Sequence, residues 1–252
     1  MREESGTECR NGGWIHQLKE GQVATSQLPV YKKPVRKSTI EFNSIQAELW
    51  RSGCVMVDGA SYGLGITCPS LRRLGIGYLK DSDADTFPMK NEVGEIVGIR
   101  IRQRRTGSKW AYKGGGDGLF VPEGFKPWEP YAIVEGPTNT GTMLDWGIEC
   151  IGRPNNLGGL GIILDLITKY SPPSVLIIGD NDKINPKTGK RPGEQGVNQL
   201  MLQIVENFRH GRATAIYPPK GINDVRAWKK AGGTRADVVA AAKDARRTSF
   251  TG

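Results

Sequence analysis

Tyr131-Ala132-Ile133-Val134-Glu135-Gly136 and Ser174-Val175-Leu176-Ile177-Ile178-Gly179-Asp180-Asn181-Asp182 are built alike. Each opens with a short apolar run and closes on acid beside glycine. Runs of this length without polar alternation mark strands buried on both faces, as in a parallel sheet with helices on either side. Working outward, residues 137–146 read as a helix, 148–151 as a strand, and 159–170 as a helix. After the Ser174–Ile178 strand come a helix at 194–208, a strand at 213–217, and helices near 223–231 and 235–246, the last with Thr234 as N-cap. Strands and helices in alternation predict an α/β fold, a Rossmann-like parallel sheet with helices on both faces.

The acids end two of these strands, and in open parallel sheets the C-terminal strand edges hold the active site. Glu135 brought beside Asp180 and Asp182 crowds like charge, which a hard, oxygen-seeking cation such as Mg²⁺ would compensate. Taken one at a time, the same acids read equally as loop or cap carboxylates on a generic sheet.

Upstream of Pro130 the pattern changes. Residues 1–37 read as a basic tail with Lys32, Lys33, Arg36 and Lys37 clustered in it. Ser38 followed by Glu41 is a capping box opening a helix to about Ser52, with Phe42, Ile45 and Leu49 on one face. Residues 53–80 read as short helices and turns. A β-rich stretch follows, with a turn at Asn91–Gly94 and a strand at about 95–104. There Val97, Ile99 and Ile101 face one way, and Arg100, Arg102 and Arg104 the other. A further strand near Lys109–Tyr112 leads to Gly114-Gly115-Gly116, and 122–130 reads as a proline-rich linker. The division expected is a tail at 1–37, a smaller mixed α+β subdomain at 38–128, and a catalytic domain at 129–252.

The 252 residues carry 35 lysines and arginines against 26 acids, a net charge of +9, which favours polyanionic partners. Arg100, Arg102, Arg104, Arg105, Lys109 and Lys113 fall in one acid-free stretch with Trp110 and Tyr112 interleaved. Cations on one strand face suit a phosphate backbone, and the aromatics suit unpaired bases. The competing account is a solvated face with core aromatics. Cys9, Cys54, Cys68 and Cys150 form no C-x-x-C pair, and with His16 and His210 alone no complete zinc site can be read. The scatter of the cysteines gives no disulfide framework, so reduced thiols in a cytoplasm are expected, and no signal peptide or membrane-length apolar run is visible. Gly136 to Thr142 has the glycine spacing of a P-loop but lacks its lysine.

Val134-Glu135-Gly136, then Gly147 and Gly152, then Asp180-x-Asp182, resemble the TOPRIM domain of primases, topoisomerases and related nucleases over about 131–225. The resemblance implies a general acid/base role for Glu135 and metal binding by Asp180 and Asp182, with Glu135 contributing. Phe87-Pro88-Met89, Gly94, Gly98, Arg100, Arg102, Gly107, Lys109 and Gly118-Leu119-Phe120 resemble the lead-in to the polymerase core of bacterial-type primases, phage and plasmid ones especially. Pro218 to Val225 is similar to the segment of those proteins that carries a further acid. It makes Asp224 another metal candidate, or a cap of the following helix.

What the resemblance implies is a DNA primase core, a nucleotidyltransferase making short primers on single-stranded DNA with Mg²⁺ or Mn²⁺ and nucleoside triphosphates. Arg100, Arg102, Lys109 and Lys113 are its nucleic-acid or nucleotide contacts. A replicative helicase and an upstream zinc-binding module are the implied partners, in a bacterial cytoplasm. Cys9 with Gly12 to His16 resembles the tail of such a module. A TOPRIM nuclease, or a non-catalytic nucleic-acid-binding module, are the alternatives. Two departures stand out. Asn139 replaces the acid often found four residues after the glutamate. A polar stretch, Lys183 to Pro192, follows the paired aspartates and brings Lys183, Lys187, Lys190 and Arg191 near them, as a contact loop or a solvated insertion.

Overall fold

A computed structural model describes residues 7–8, 14–15, 38–58, 63–186, 189–207 and 212–248. The chain forms two compact units, Met1–Pro34 and Val35–Gly252. In the first, β1 (Thr7–Glu8) pairs antiparallel with β2 (Trp14–Ile15). The basic cluster at 32–37, the Cys9 and His16 positions of the zinc-module resemblance, His210 and Lys187 lie outside the described residues.

The second unit begins with α1 (Thr39–Asp58), whose first turn is capped by Ser38: its Oγ accepts from the Glu41 N–H at 3.2 Å. The helix runs past the expected end at Ser52, through Gly53, at a propensity cost of about 1 kcal/mol. After α2 (Cys68–Arg73) come β3 (Gly77–Leu79), β4 (Ala84–Lys90), β5 (Ile96–Gln103) and β6 (Lys109–Ala111). They form an antiparallel sheet in the order β3-β4-β5-β6. The Asn91 turn forms as expected, with Asn91 Oδ1 accepting from the Glu95 N–H at 2.8 Å and Gly94 N–H donating to Asn91 O.

Register assigns the two faces of this sheet. Phe87 lies opposite Arg100 and Asp85 opposite Arg102, while Thr86 opposes Ile101 and Pro88 opposes Ile99. Directly opposed residues share a face. Ile99 and Ile101 are buried, as the alternation predicted. Phe87 and Met89, on the arginine face, pack with Leu71, Phe120 and Leu144. Leu144 belongs to the second half of the unit, so the arginine face is the one turned toward it.

That half reads β7 (Tyr131–Glu135), α3 (Gly136–Asp145), β8 (Cys150–Arg153), α4 (Leu160–Tyr170), β9 (Ser174–Ile178), α5 (Pro192–Asn207), β10 (Arg212–Ile216), α6 (Val225–Lys230) and α7 (Arg235–Thr248). The strands are all parallel, in the order β10-β9-β7-β8. Alternate residues of β7 feed two separate cores. Tyr131 and Ile133 pack with residues of α4 and α5, and Ala132 and Val134 with Met143, Trp228 and Val238 from α3, α6 and α7. Period-two alternation, apolar on both faces, is the physical reason the run carries no polar residue before Glu135. The expected strand at 148–151 begins instead at Cys150. Gly147, at φ 66°, ends α3, and the Ile148 N–H is spent on Met143 O, so Ile148 sits in the turn.

Candidate active site

From β7 the chain crosses to β8 on one side, and from β9 to β10 on the other. The C-terminal ends of β7 and β9 therefore flank the point where strand order reverses, where open α/β sheets form a crevice. Glu135 ends β7, and Asp180 follows β9 by two residues. Gly136, at φ 77°, turns the chain sharply into α3, where Pro137 occupies the first turn.

Backbone and amide hydrogen bonds gather the remaining acids. The Asn181 N–H donates to Asn223 O at 2.7 Å, and Asn181 Nδ2 to both Pro218 O and Ile222 O at 2.8 Å. These bonds tie the Asp180 loop to the loop that carries Asp224. Asp224 caps α6, its Oδ1 accepting from the Ala227 N–H at 2.6 Å, and its charge still bears on Asp180. The cap reading of that residue is therefore observed. Asp182 Oδ2 accepts from the Gly193 N–H at 2.8 Å, in the first turn of α5. A Cβ at Gly193 would stand 2.6 Å from Asp180 O, so the backbones meet there only because this residue is glycine.

The electrostatics follow from the crowding. Asp180 is pushed up to about 8, first by burial and then by Glu135, Asp224 and Asp182. Glu135 is raised by burial and by Asp182, against the opposing charges of Arg153 and Lys109. A crevice of about 20 Å³ lies between them, lined by Glu135, Arg153, Asp180 and Gly193 among others, room for about one water-sized occupant. Among the described residues no three His, Cys, Asp or Glu side chains are gathered closely enough to hold a metal ion as they stand. The donor set is nonetheless all oxygen, and its excess of negative charge is what a hard divalent cation offsets, so the residues fit Mg²⁺ or Mn²⁺ in chemistry and charge.

Three participants were not singled out by sequence reading. Arg153 lies opposite Glu135 in the β7–β8 ladder and is 6% exposed. Its guanidinium donates to Gly158 O and Gly196 O, and burial lowers its pKa against the pull of Glu135. Its position as the last residue of a parallel strand was the available signal. Asn139, noted only as a departure, lies beside the acids. Its Oδ1 accepts from the Arg226 N–H at 3.2 Å, which leaves Nδ2 to face Asp180 Oδ1 at 3.4 Å. A neutral donor stands where an acid would add to the repulsion. Gly193 is the third.

The basic stripe divides. Lys109 is exposed, and its charge reaches both Glu135 and Asp180. Arg100 pairs loosely with Asp117 at 3.6 Å, and Arg102 Nη1 donates to Gly107 O at 3.1 Å. Burial, then Arg226, hold Arg102 below the usual guanidinium value. Arg104 serves the fold: it pairs with buried Asp85 at 2.7 Å and stacks on the Tyr78 ring. Tyr112 packs edge-on against Phe42, while Trp110 is 38% exposed. Lys113 lines a separate groove with Trp110 and Tyr112. In the insertion, Asn185 N–H donates to Lys190 O, and Lys190 and Arg191 border a cleft of about 770 Å³ along α5. That cleft is far larger than the crevice between the acids, but Glu194 is the one acid on its lining.

No family profile and no curated protein matches the chain. Among solved structures, the E. coli primase catalytic core is similar at TM-score 0.61 and 12% identity, over 82% of this chain and 80% of that one. A DnaG primase catalytic domain bound to single-stranded DNA is similar at TM-score 0.58 and 12% identity, over 82% and 80%. The primase fragment of the bacteriophage T7 primase-helicase protein is similar at TM-score 0.50 and 13% identity, over 72% and 73%. At these identities the likeness is one of fold: the chain has a primase-core-like architecture, a four-stranded antiparallel sheet followed by a four-stranded parallel sheet flanked by helices.

Proposed function

We propose that the chain is the catalytic core of a DNA primase, a nucleotidyltransferase that builds short primers on single-stranded DNA from nucleoside triphosphates. The observation that carries this reading is the position of Glu135 and Asp180 at the switch point of a primase-like fold, where the charges of Asp182, Asp224 and Lys109 all bear on Asp180. Mg²⁺ or Mn²⁺ held by these carboxylates would supply positive charge to the phosphate oxygens and acidify a primer 3′-hydroxyl.

The residues divide the remaining work. Glu135, raised by burial and neighbours, is the acid/base group, and Arg153 behind it fixes the strand-end geometry. Asp182 is oriented by Gly193 N–H, and Asp180 by the Asn139 amide. Lys109 meets the triphosphate, while Arg100 and Arg102 hold template phosphates and Lys113 extends the contact. In this reading residues 38–128 are the template-holding subdomain and 129–252 the catalytic one, with 1–37 leading in from a zinc-binding module. A replicative helicase is the working partner, in the bacterial cytoplasm where phage or plasmid DNA replicates. Among the described residues no helix is long and apolar enough to cross a membrane.

The test is incubation with single-stranded DNA and labelled nucleotides, wild type beside Glu135→Gln. The proposal expects short metal-dependent products that fall at least a hundredfold in the variant. Template cleavage without synthesis would replace it with the nuclease reading, and retained synthesis by Glu135→Gln would remove Glu135 from the site.

A further inference from the structure

A groove of about 560 Å³ lies between α1, α2 and the β4–β5 hairpin, within the range of small-molecule sites. Asn43, Gln46, Ala47 and Trp50 of α1 line one wall, at the spacing that puts residues on one helix face. Three features of the lining lack explanation in the fold. Lys90 is half-buried, its ammonium donates to Val121 O at 3.1 Å, and desolvation lowers its pKa against the opposing charge of Glu123. Gln46 is 4% exposed; its Nε2 donates to Gly75 O, and its Oε1 is a buried acceptor with no donor. Trp50 leaves 44% of its surface open at the edge. Arg51 and Arg72 add positive charge, and Glu123 is the one acid of the lining.

Each feature asks for a complementary group. With Arg51, Arg72 and Lys90 against the single acid Glu123, the lining carries net positive charge, which suits an anion, preferably phosphate. A buried orphan acceptor is destabilising until an N–H or O–H reaches it. An open indole beside cations is a stacking platform. One ligand class carries all three: phosphate, donor-bearing ring or sugar, and aromatic face. A nucleic-acid track would be served by exposed cations and aromatics alone and gives no role to the buried Gln46 acceptor.

The groove is remote from the acids. Arg73, also on its lining, pairs with Glu149 at 3.0 Å, immediately before the first residue of β8. That is the N-terminal edge of the parallel sheet, a strand length, roughly 13 Å, from the edge bearing Glu135.

We propose that this groove binds a nucleoside phosphate, with Lys90, Arg51 and Arg72 on the phosphate, Trp50 under the ring and Gln46 Oε1 accepting from the base or sugar. Its occupant is a bound effector, distinct from any nucleotide reacting at the acids. The inference stands whether or not the chain makes primers.

The test is calorimetric titration of the full chain carrying Asp180→Asn and Asp182→Asn, in EDTA, with ATP, GTP, inorganic phosphate and a single-stranded oligonucleotide. The expected result is saturable one-to-one binding of at least one of the two nucleotides, tighter than that of phosphate. Trp50→Ala and Lys90→Met should each weaken it tenfold or more, and Lys230→Ala, at an exposed position of α6, should leave it unchanged. Trp50 and Arg51 are exposed, so Trp50→Ala and Arg51→Ala keep the question open to a decision should Lys90→Met fail to fold. No nucleotide binding, or binding insensitive to Trp50→Ala and Arg51→Ala, overturns the proposal. So does equal affinity for phosphate and nucleotide, or an effect of Trp50→Ala confined to the oligonucleotide.

Discussion

Replacing Asp180 by asparagine should make the cation-free protein more stable while abolishing its chemistry. Asp180 is pushed up to about 8 by burial and by Glu135, Asp224 and Asp182. In the unfolded chain it titrates near its ordinary value of about 3.9. Its folded pKa is raised, so its favourable contribution is complete below about pH 4, shrinks as pH rises, and is gone above the folded value. At pH 7 the difference of roughly three pH units corresponds to about 4 kcal/mol at most, and on the order of 2–4 kcal/mol after allowance for water reaching the site. Asparagine keeps the shape and removes the titration. The advantage of Asp180→Asn over wild type in EDTA should therefore be near zero at pH 4.5 and grow toward pH 8. For a chain of this size it should reach a melting-temperature gain of roughly 5–15 °C. Added Mg²⁺ should raise wild type toward the variant and leave the variant nearly unmoved. Thermal unfolding by circular dichroism, with and without EDTA, reads all of this. A variant no more stable than wild type at pH 8 in EDTA would refute the claim that the acids are crowded against one another.

Lys109→Ala should weaken single-stranded DNA or nucleotide binding and lower the slope of log affinity against log salt by about 1, measured by fluorescence anisotropy. Gly193→Ala should cost about 1–3 kcal/mol and at least a tenfold loss of turnover, because its Cβ would stand 2.6 Å from Asp180 O. Asp145 is a purely structural counterpart. Burial would raise its pKa, but hydrogen bonds from Lys229, Ser70 and Thr67 outweigh that and hold it low. Its stabilisation is present above about pH 4 and lost as pH falls through the folded value. Asp145→Ala should cost about 3 kcal/mol at pH 7 in chemical denaturation, with turnover kept at low temperature.

The strands β7 and β9 were legible because apolar residues on both faces leave no other reading for runs so short. Their ends were legible for the same reason, and with them the placing of Glu135 and Asp180 at the C-terminal edge of the parallel sheet. What local pattern cannot carry is which residues meet across the chain. Arg104 counts as one more cation in its strand, yet Asp85, on the neighbouring strand, claims it. The antiparallel pairing that joins them depends on register, which the strand itself does not reveal. The order β10-β9-β7-β8 is likewise a matter of packing, and only that order makes the ends of β7 and β9 the switch point. Arg153 and Asn139 escaped for a similar reason: their importance lies in what stands opposite them. Ile148 misled because its hydrophobicity extends the β8 pattern backward, while Gly147 uses its backbone to close the helix.

Formation of the first phosphodiester bond is the decisive assay: labelled nucleoside triphosphates on a single-stranded DNA template, with products resolved as dinucleotides and longer. Template-dependent dinucleotide is expected with Mg²⁺ or Mn²⁺, none with EDTA, and none from a well-folded Asp180→Asn/Asp182→Asn double variant. Bond formation that survives in the double variant would remove these carboxylates from the reaction.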